Sequence, residues 1–271
     1  MIQGLSANAL QKMIKEEKEN QYLIVDVRQS EEYRLDHIPG SVNIPLPEIQ
    51  FDPYIFDDDR KVIFCCTRGP RSKVAAIFVS EVGYDENKLF YLKEGLFEYT
   101  GEILLEMPRV DLFYQDINSY AIMEKAIDFE NGAFRFYTLA KEKLIGTNIY
   151  PIMEKMAKDE VAHGKSIYNR LRKIENVDMD FEAYFKTCNG QVLEGGKSFR
   201  EIKEFLSKGS SNPCMDILDF AIELEYCAYD LYKIMAENFK SEHIKDIFFQ
   251  LAQSEKKHLD QMINALKLCA Q

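Results

Sequence analysis

Apolar positions in the first hundred residues fall into short runs separated by polar turns. Tyr22–Val27, Val62–Cys65 and Leu89–Leu92 read as buried strands. Ser6 caps an amphipathic run to Glu19, and Ser72–Glu81 reads as a helix closed by Gly83. The turn-rich stretches Ile38–Pro47 and Phe51–Asp59 predict loops. Helices alternating with short apolar strands predict a parallel α/β sheet flanked by helices. After Pro108 the period changes. Four long helical periods follow, over roughly 118–145, 149–172, 214–238 and 241–268, with no strand signal. Gly146 and Asn238 suit helix ends, while Pro151 and Asn212-Pro213 suit helix starts. Residues 173–213 form a long connection, with Gly195-Gly196 and a short helix near Ser198–Leu206. The pattern predicts a sheet domain over 1–108, a linker over 109–117 and an all-α four-helix bundle over 118–271, with its crossover at 173–213.

Composition narrows the partners. The chain has 271 residues, 46% hydrophobic and 29% charged, a balance in which both parts bury a core. Its net charge is -11, and both parts are acidic, which argues against a nucleic-acid partner. The residues from Met1 to Leu10 lack the basic-then-apolar pattern of a signal peptide, and no apolar run is long enough to span a bilayer. A cytoplasmic address away from membranes is the expectation. Six cysteines without paired spacing do not suggest a disulfide framework, and Cys188, Cys214, Cys227 and Cys269 read as small buried or surface residues. No C-x-x-C pair is present, so neither a zinc ribbon nor a rubredoxin-like iron site is expected in this chain.

An internal repeat carries the strongest chemical signal. Ala126-Ile127-Asp128-Phe129-Glu130 recurs as Ala221-Ile222-Glu223-Leu224-Glu225, and Glu160-Val161-Ala162-His163 recurs as Glu255-Lys256-Lys257-His258. The offset is 95 residues throughout, and each half also places an alanine (Ala133, Ala228) and a tyrosine (Tyr137, Tyr232) at equal distances. Residues three apart share a helix face, so Glu160 points with His163 and Glu255 with His258. One further glutamate from each of the other two helices, Glu130 and Glu225, completes four carboxylates and two imidazoles. That mixed oxygen–nitrogen set suits two divalent iron or manganese ions. Four buried carboxylates without a cation would repel one another. Tyr137 and Tyr232 lie two turns beyond the first glutamates, where each either hydrogen-bonds a ligand or fills core.

A second site lies in the first domain. Cys66-Thr67-Arg68-Gly69-Pro70-Arg71-Ser72 joins a strand to a helix. A cysteine there meets the helix's positive end, backbone N–H groups and two arginines, all of which favour the thiolate. Gly69 lets the loop curl. Such a loop holds a persulfide or binds an oxyanion donor such as thiosulfate. Counted from Cys65, the same stretch is C-x5-R-S, the spacing of cysteine phosphatases. Cys65 belongs to the apolar run Val62–Cys65, so Cys66 is favoured as the nucleophile.

This loop resembles the rhodanese active site. Asp26-Val27-Arg28-Gln29-Ser30-Glu31-Glu32-Tyr33, His37-Ile38-Pro39-Gly40-Ser41-Val42-Asn43-Ile44-Pro45 and Leu92-Lys93-Glu94-Gly95 resemble other motifs of that family, in the same order. Asp36, Glu94 and Tyr99 depart from the family's usual residues, and Asp26, Arg28 and His37 read as fold-holding. The resemblance implies a sulfurtransferase with Cys66, Arg71 and Arg68 catalytic and Thr67, Gly69, Pro70 and Ser72 forming the substrate loop. The helical part resembles the rubrerythrin-type, ferritin-like diiron proteins. That resemblance implies a bridged diiron site held by Glu130, Glu160, His163, Glu225, Glu255 and His258, reacting with hydrogen peroxide or dioxygen. Many rubrerythrins carry one more glutamate where this chain has Ala228. Electrons would come from a separate protein such as a rubredoxin, sulfur from a small-molecule donor, and the bundle would pair into a homodimer or larger assembly. The rival readings are a working sulfurtransferase with an iron-storing or iron-sensing bundle, and a non-enzymatic redox sensor.

Overall fold

The computed structural model describes residues 2–56, 59–113, 118–174, 178–193 and 195–269. The chain divides into two compact units: Met1–Met107 with Tyr232–Asn238, and Pro108–Leu231 with Phe239–Gln271.

The first unit is a five-stranded parallel sheet in the order β1-β5-β4-β2-β3. Its strands are β1 (Gln3–Leu5), β2 (Tyr22–Asp26), β3 (Ser41–Asn43), β4 (Lys61–Cys65) and β5 (Leu89–Leu92). Register pairs Ile24 with both Ser41 and Ile63, Ile63 with Phe90, and Leu5 with Leu92. The central strands are covered on both faces, so they read as continuous apolar runs rather than alternating ones. Alternation still sorts their side chains. Val25, Val62, Phe64 and Cys66 pack on one face with Ala75, Ala76 and Val79 of α4 (Pro70–Glu81). Ile24, Ile63 and Cys65 pack on the other face with Leu10 of α1 (Ala7–Glu16). The edge strands are three residues each, which limits unpaired backbone. The stretch 38–47, expected as loop, holds β3 and the start of α3 (Leu46–Phe51), and α2 (Ser30–Leu35) was not expected. Asp26 and Arg28 hold the fold as anticipated: both are buried and paired at 2.8 Å. Asp36 adds a second carboxylate to Arg28 at 2.7 Å. Within this unit, buried Lys233 lies 3.2 Å from Glu19, and Arg60 forks Glu237 at 2.6 and 2.8 Å.

The second unit is helical. It contains α5 (Ser119–Lys143), α6 (Tyr150–Ile174), α9 (Pro213–Asn238) as far as Leu231, and α10 (Glu242–Cys269). The side chain of Asn118 caps α5, and Asn212 caps α9 ahead of Pro213, each satisfying an orphan N–H of the first turn. The connection carries α8 (Phe199–Ser207) near the expected place and an unanticipated α7 (Phe181–Thr187). Asn131 donates to Phe185 O at 3.0 Å, and Asp128 accepts from the Asn189 and Gly190 amides at 2.6 and 2.9 Å, pinning the connection to α5. Part of the core packs around Phe136, Met153, Met156, Leu218 and Met262. One expectation fails here. Cys214, at the start of α9, is disulfide-bonded to Cys269, at the end of α10, with Cα atoms 5.6 Å apart. Both helix ends meet because the two helices run antiparallel, which no local cysteine spacing signals.

Candidate functional site

The bundle brings all six carboxylate and histidine residues of the repeat to one place. Glu130 comes from α5, Glu160 and His163 from α6, Glu225 from α9, and Glu255 and His258 from α10. All four glutamates are buried. His163 Nδ1 lies 3.1 Å from Glu160 Oε2, 3.3 Å from Glu130 Oε2 and 3.8 Å from Glu255 Oε1. His258 Nδ1 lies 2.9 Å from Glu255 Oε2, 3.3 Å from Glu225 Oε2 and 3.4 Å from Glu160 Oε1. Glu160 and Glu255 therefore each turn one oxygen to each histidine, while Glu130 contacts His163 and Glu225 contacts His258. The imidazoles stack with ring centroids 5.1 Å apart.

Electrostatics sharpen the picture. Burial pushes the Glu160 and Glu255 carboxyls well above the usual range, despite the nearby histidines. Burial opposes charge on His163 too, but the Glu130 and Glu160 carboxylates outweigh it and raise its pKa. Glu160 Oε1 and both Glu255 oxygens are buried without a hydrogen bond of acceptable geometry. Orphaned carboxylate oxygens in a dry pocket are costly unless a cation takes the lone pairs. Ligand atoms of Glu160, His163, Glu255 and His258 lie within 4.8 Å of one another, so the cluster fits a metal ion by both chemistry and reach.

Around the cluster, the Tyr137 hydroxyl donates to Glu225 Oε1. The tyrosine of the first half thus serves the second half's glutamate. Tyr232 is fully buried and falls in the stretch grouped with the first unit. Asp159 was not anticipated. Its Oδ2 lies 3.8 Å from His258 Nε2, the ring nitrogen opposite the one that faces the carboxylates. The signal was available as an acid directly preceding Glu160.

In the first unit, Cys66 stands at the carboxyl end of central β4, where open parallel sheets place their ligand crevice. It is 1% exposed, and Gly69 N–H donates to its Sγ at 3.1 Å. Ser72 Oγ lies 3.6 Å away and donates to Gly69 O at 2.6 Å. Gly69 has φ +98°, and a Cβ there would sit 1.8 Å from Lys93 O. Gly95, at φ +65°, closes the loop from behind: Leu96 N–H donates to Cys66 O and Phe97 N–H to Thr67 O. Pro70 opens α4. Both arginines have partners besides the sulfur. Arg71 forks Glu32 at 2.7 and 2.8 Å and donates to Thr67 Oγ1 at 2.9 Å, while Arg68 stacks over the Phe97 ring at 4.8 Å. Hydrogen bonds from Arg71 hold the Glu32 carboxyl at about 2. Cys65 points to the opposite face of the sheet, fully buried, and burial pushes its thiol well up.

Family models match both parts of the chain. A family model described as a rhodanese-like domain matches residues 6–102, and one described as rubrerythrin matches residues 216–269. The chain thus joins a rhodanese-like domain to a rubrerythrin-type domain. The rubrerythrin match holds Glu225, Glu255 and His258, and their partners Glu130, Glu160 and His163 enter through the repeat.

Among relatives, a putative sulfur carrier protein of Bacillus subtilis is 34% identical over 79 residues, 29% of this chain and 42% of its own length. A thiosulfate:glutathione sulfurtransferase of Saccharomyces cerevisiae is 29% identical over 102 residues, 33% of this chain and 73% of its own. The chain spans less than half of the first relative's length. A solved rhodanese-related protein from Thermoplasma volcanium is 26% identical, with a TM-score of 0.34, covering 38% of this chain and 99% of that one.

Proposed function

We propose that the chain is a bifunctional redox protein: a diiron site in the bundle reduces hydrogen peroxide, or dioxygen, and Cys66 carries persulfide sulfur. The observation that carries the first half is the sharing of Glu160 and Glu255 between the two histidines. Glu130, Glu160, Glu255 and His163 would hold one ion, and Glu225, Glu255, Glu160 and His258 the other. Bound there, two ferrous ions would supply the two electrons that, with two protons, convert hydrogen peroxide to two waters. The protein's own residues do the rest. Tyr137 fixes the Glu225 carboxylate by its hydroxyl, and Asp159 faces the outer nitrogen of His258. Burial keeps bulk water from the carboxylates. Electrons return from a separate donor protein of the rubredoxin kind.

In the sheet domain, the Cys66 thiolate attacks the outer sulfur of thiosulfate. A sulfur–sulfur bond forms on Cys66, the donor's sulfur–sulfur bond breaks, and sulfite leaves with the electron pair. An acceptor thiolate or cyanide then takes the outer sulfur and restores the thiolate. Gly69 N–H, already on Sγ, favours the charge of the resting thiolate. Among the described residues no helix is long and apolar enough to cross a membrane. A cytoplasmic address and a homodimeric or larger assembly belong to the same proposal, with the Cys214–Cys269 bond reversible where thiols are kept reduced.

The test is anaerobic iron loading followed by peroxide titration. One equivalent of hydrogen peroxide per chain should oxidise both irons rapidly. Slow oxidation with continued iron uptake would favour storage and overturn the peroxidase reading.

A further inference from the structure

The repeat gives every feature on one side of the carboxylate pocket a counterpart on the other, so differences between the sides are informative. Beside His258 the gap between α6 and α10 is spanned. Lys155 Nζ donates to Asp159 Oδ2 at 2.6 Å and to Gln261 Oε1 at 2.8 Å, over a histidine only 3% exposed. Shifted by 95 residues, Lys155 becomes Gln250, Asp159 becomes Ser254, and Gln261 pairs with Ser166. These shorter side chains leave a cavity of about 90 Å³ against His163, walled by Leu251 and Ile167. Arg170 borders it, donating to Gln250 Oε1 at 2.6 Å and lying 3.4 Å from Asp246. His163 is correspondingly 15% exposed.

We propose that this cavity is the port by which the oxidant reaches the carboxylate pocket, and that its size admits hydrogen peroxide or dioxygen and excludes organic hydroperoxides. The proposal rests on the peroxide-reducing reading for its substrate and on the geometry for its location. The cavity is small, with room for a few water-sized molecules. The Ser166 and Ser254 hydroxyls and the Arg170 guanidinium offer donors to a small polar molecule, and the small volume beside Leu251 and Ile167 limits the size of any substituent that could follow it. The reaction it feeds is the one balanced above, with one peroxide, two protons and two electrons giving two waters.

Ser254→Leu fills the cavity from α10, and Ser166→Leu repeats the obstruction from α6 should the first variant fold poorly. Gln261→Leu, at the counterpart of Ser166, is the control. The first readout needs no metal. With only four histidines in the chain, the ring signals of the metal-free full-length protein are resolvable by NMR, and dissolved dioxygen serves as a paramagnetic probe. Dioxygen should relax the His163 ring several-fold more than the His258 ring. Ser254→Leu should remove the difference by lowering relaxation of the His163 ring, whereas Gln261→Leu should leave relaxation of the His163 ring unchanged. The second readout is stopped-flow oxidation of the iron-loaded protein. Ser254→Leu should slow oxidation by hydrogen peroxide about tenfold or more at unchanged iron content, and cumene hydroperoxide should react far more slowly than hydrogen peroxide with the unmodified protein. Equal relaxation of the two rings would overturn the port, as would wild-type oxidation rates in Ser254→Leu. Equal rates with cumene hydroperoxide would overturn the size limit. If hydrogen peroxide oxidises nothing even in the unmodified protein, the peroxidase reading falls, and dioxygen relaxation alone decides the port.

Discussion

Gly95→Ala tests whether the Cys66 loop is held from behind by the Leu92–Gly95 turn. The alanine would keep φ at +65°, a left-handed conformation that costs an L-residue about 1–2 kcal/mol. Its Cβ would also lie 2.3 Å from Cys66 O and 2.5 Å from Arg68 N, both backbone atoms, against the 3.4 Å at which ordinary contact begins. Relief requires the loop or the turn to move by about 1 Å, stretching Leu96 N–H to Cys66 O and Phe97 N–H to Thr67 O, now 2.9 and 3.0 Å. Losing those two bonds adds about 1–3 kcal/mol. The total, about 2–5 kcal/mol, lowers the melting temperature of a unit of this size by about 10 °C or more. Sulfur transfer from thiosulfate to cyanide should fall steeply, because the misplaced loop no longer presents Gly69 N–H to Sγ. Gly83→Ala is the matched control: its φ is +96° with nothing within 4 Å of the added Cβ, so it should lose only the conformational cost and keep transfer. If Gly95→Ala matched Gly83→Ala in both calorimetry and transfer, the loop would not depend on this turn.

Other outcomes follow from the same geometry. Cys66→Ser should abolish sulfur transfer while Cys65→Ser retains it, since Cys65 packs on the far face of the sheet; the reverse ranking, with phosphatase activity, would move the nucleophile one residue back. Iron affinity should rise with pH, because burial raises the Glu160 and Glu255 carboxyls and the cation must displace their protons. Titration calorimetry in two buffers of different ionisation enthalpy should show proton release on binding, and a pH-independent affinity would contradict this. The Glu32–Arg71 pair, with Glu32 held at about 2, contributes stability that is present above the unfolded carboxyl value and lost as pH falls toward 2. Both side chains are partly exposed, so Glu32→Gln should flatten the acid limb of the melting curve only slightly.

The parts of this protein legible in its sequence are those whose side chains repeat at the period of their own element. Glu160 and His163 share a helix face by spacing alone, and the 95-residue offset duplicates the pair with its companion glutamates. The buried strands β2, β4 and β5 were readable because both faces are covered and the runs stay apolar. β3 was not, since three residues bracketed by Gly40 and Pro45 look like a turn. Pairings across the fold leave no local trace. Cys214 meets Cys269 through antiparallel helices, Arg71 is taken by Glu32 from α2, and Tyr137 reaches across to Glu225 on α9. Asp159 also pairs with Lys155 at i,i+4, a pattern common on helix surfaces that does not point to a histidine.

The central claim concerns cations between Glu160 and Glu255, and the most direct measurement is the iron-to-protein ratio of the full-length chain reconstituted under anaerobic conditions and freed of loose metal. A ratio close to two, falling sharply in Glu255→Ala, agrees with two ions sharing both carboxylates. A chain that stays folded and binds no iron, or binds as much in Glu255→Ala, would contradict it.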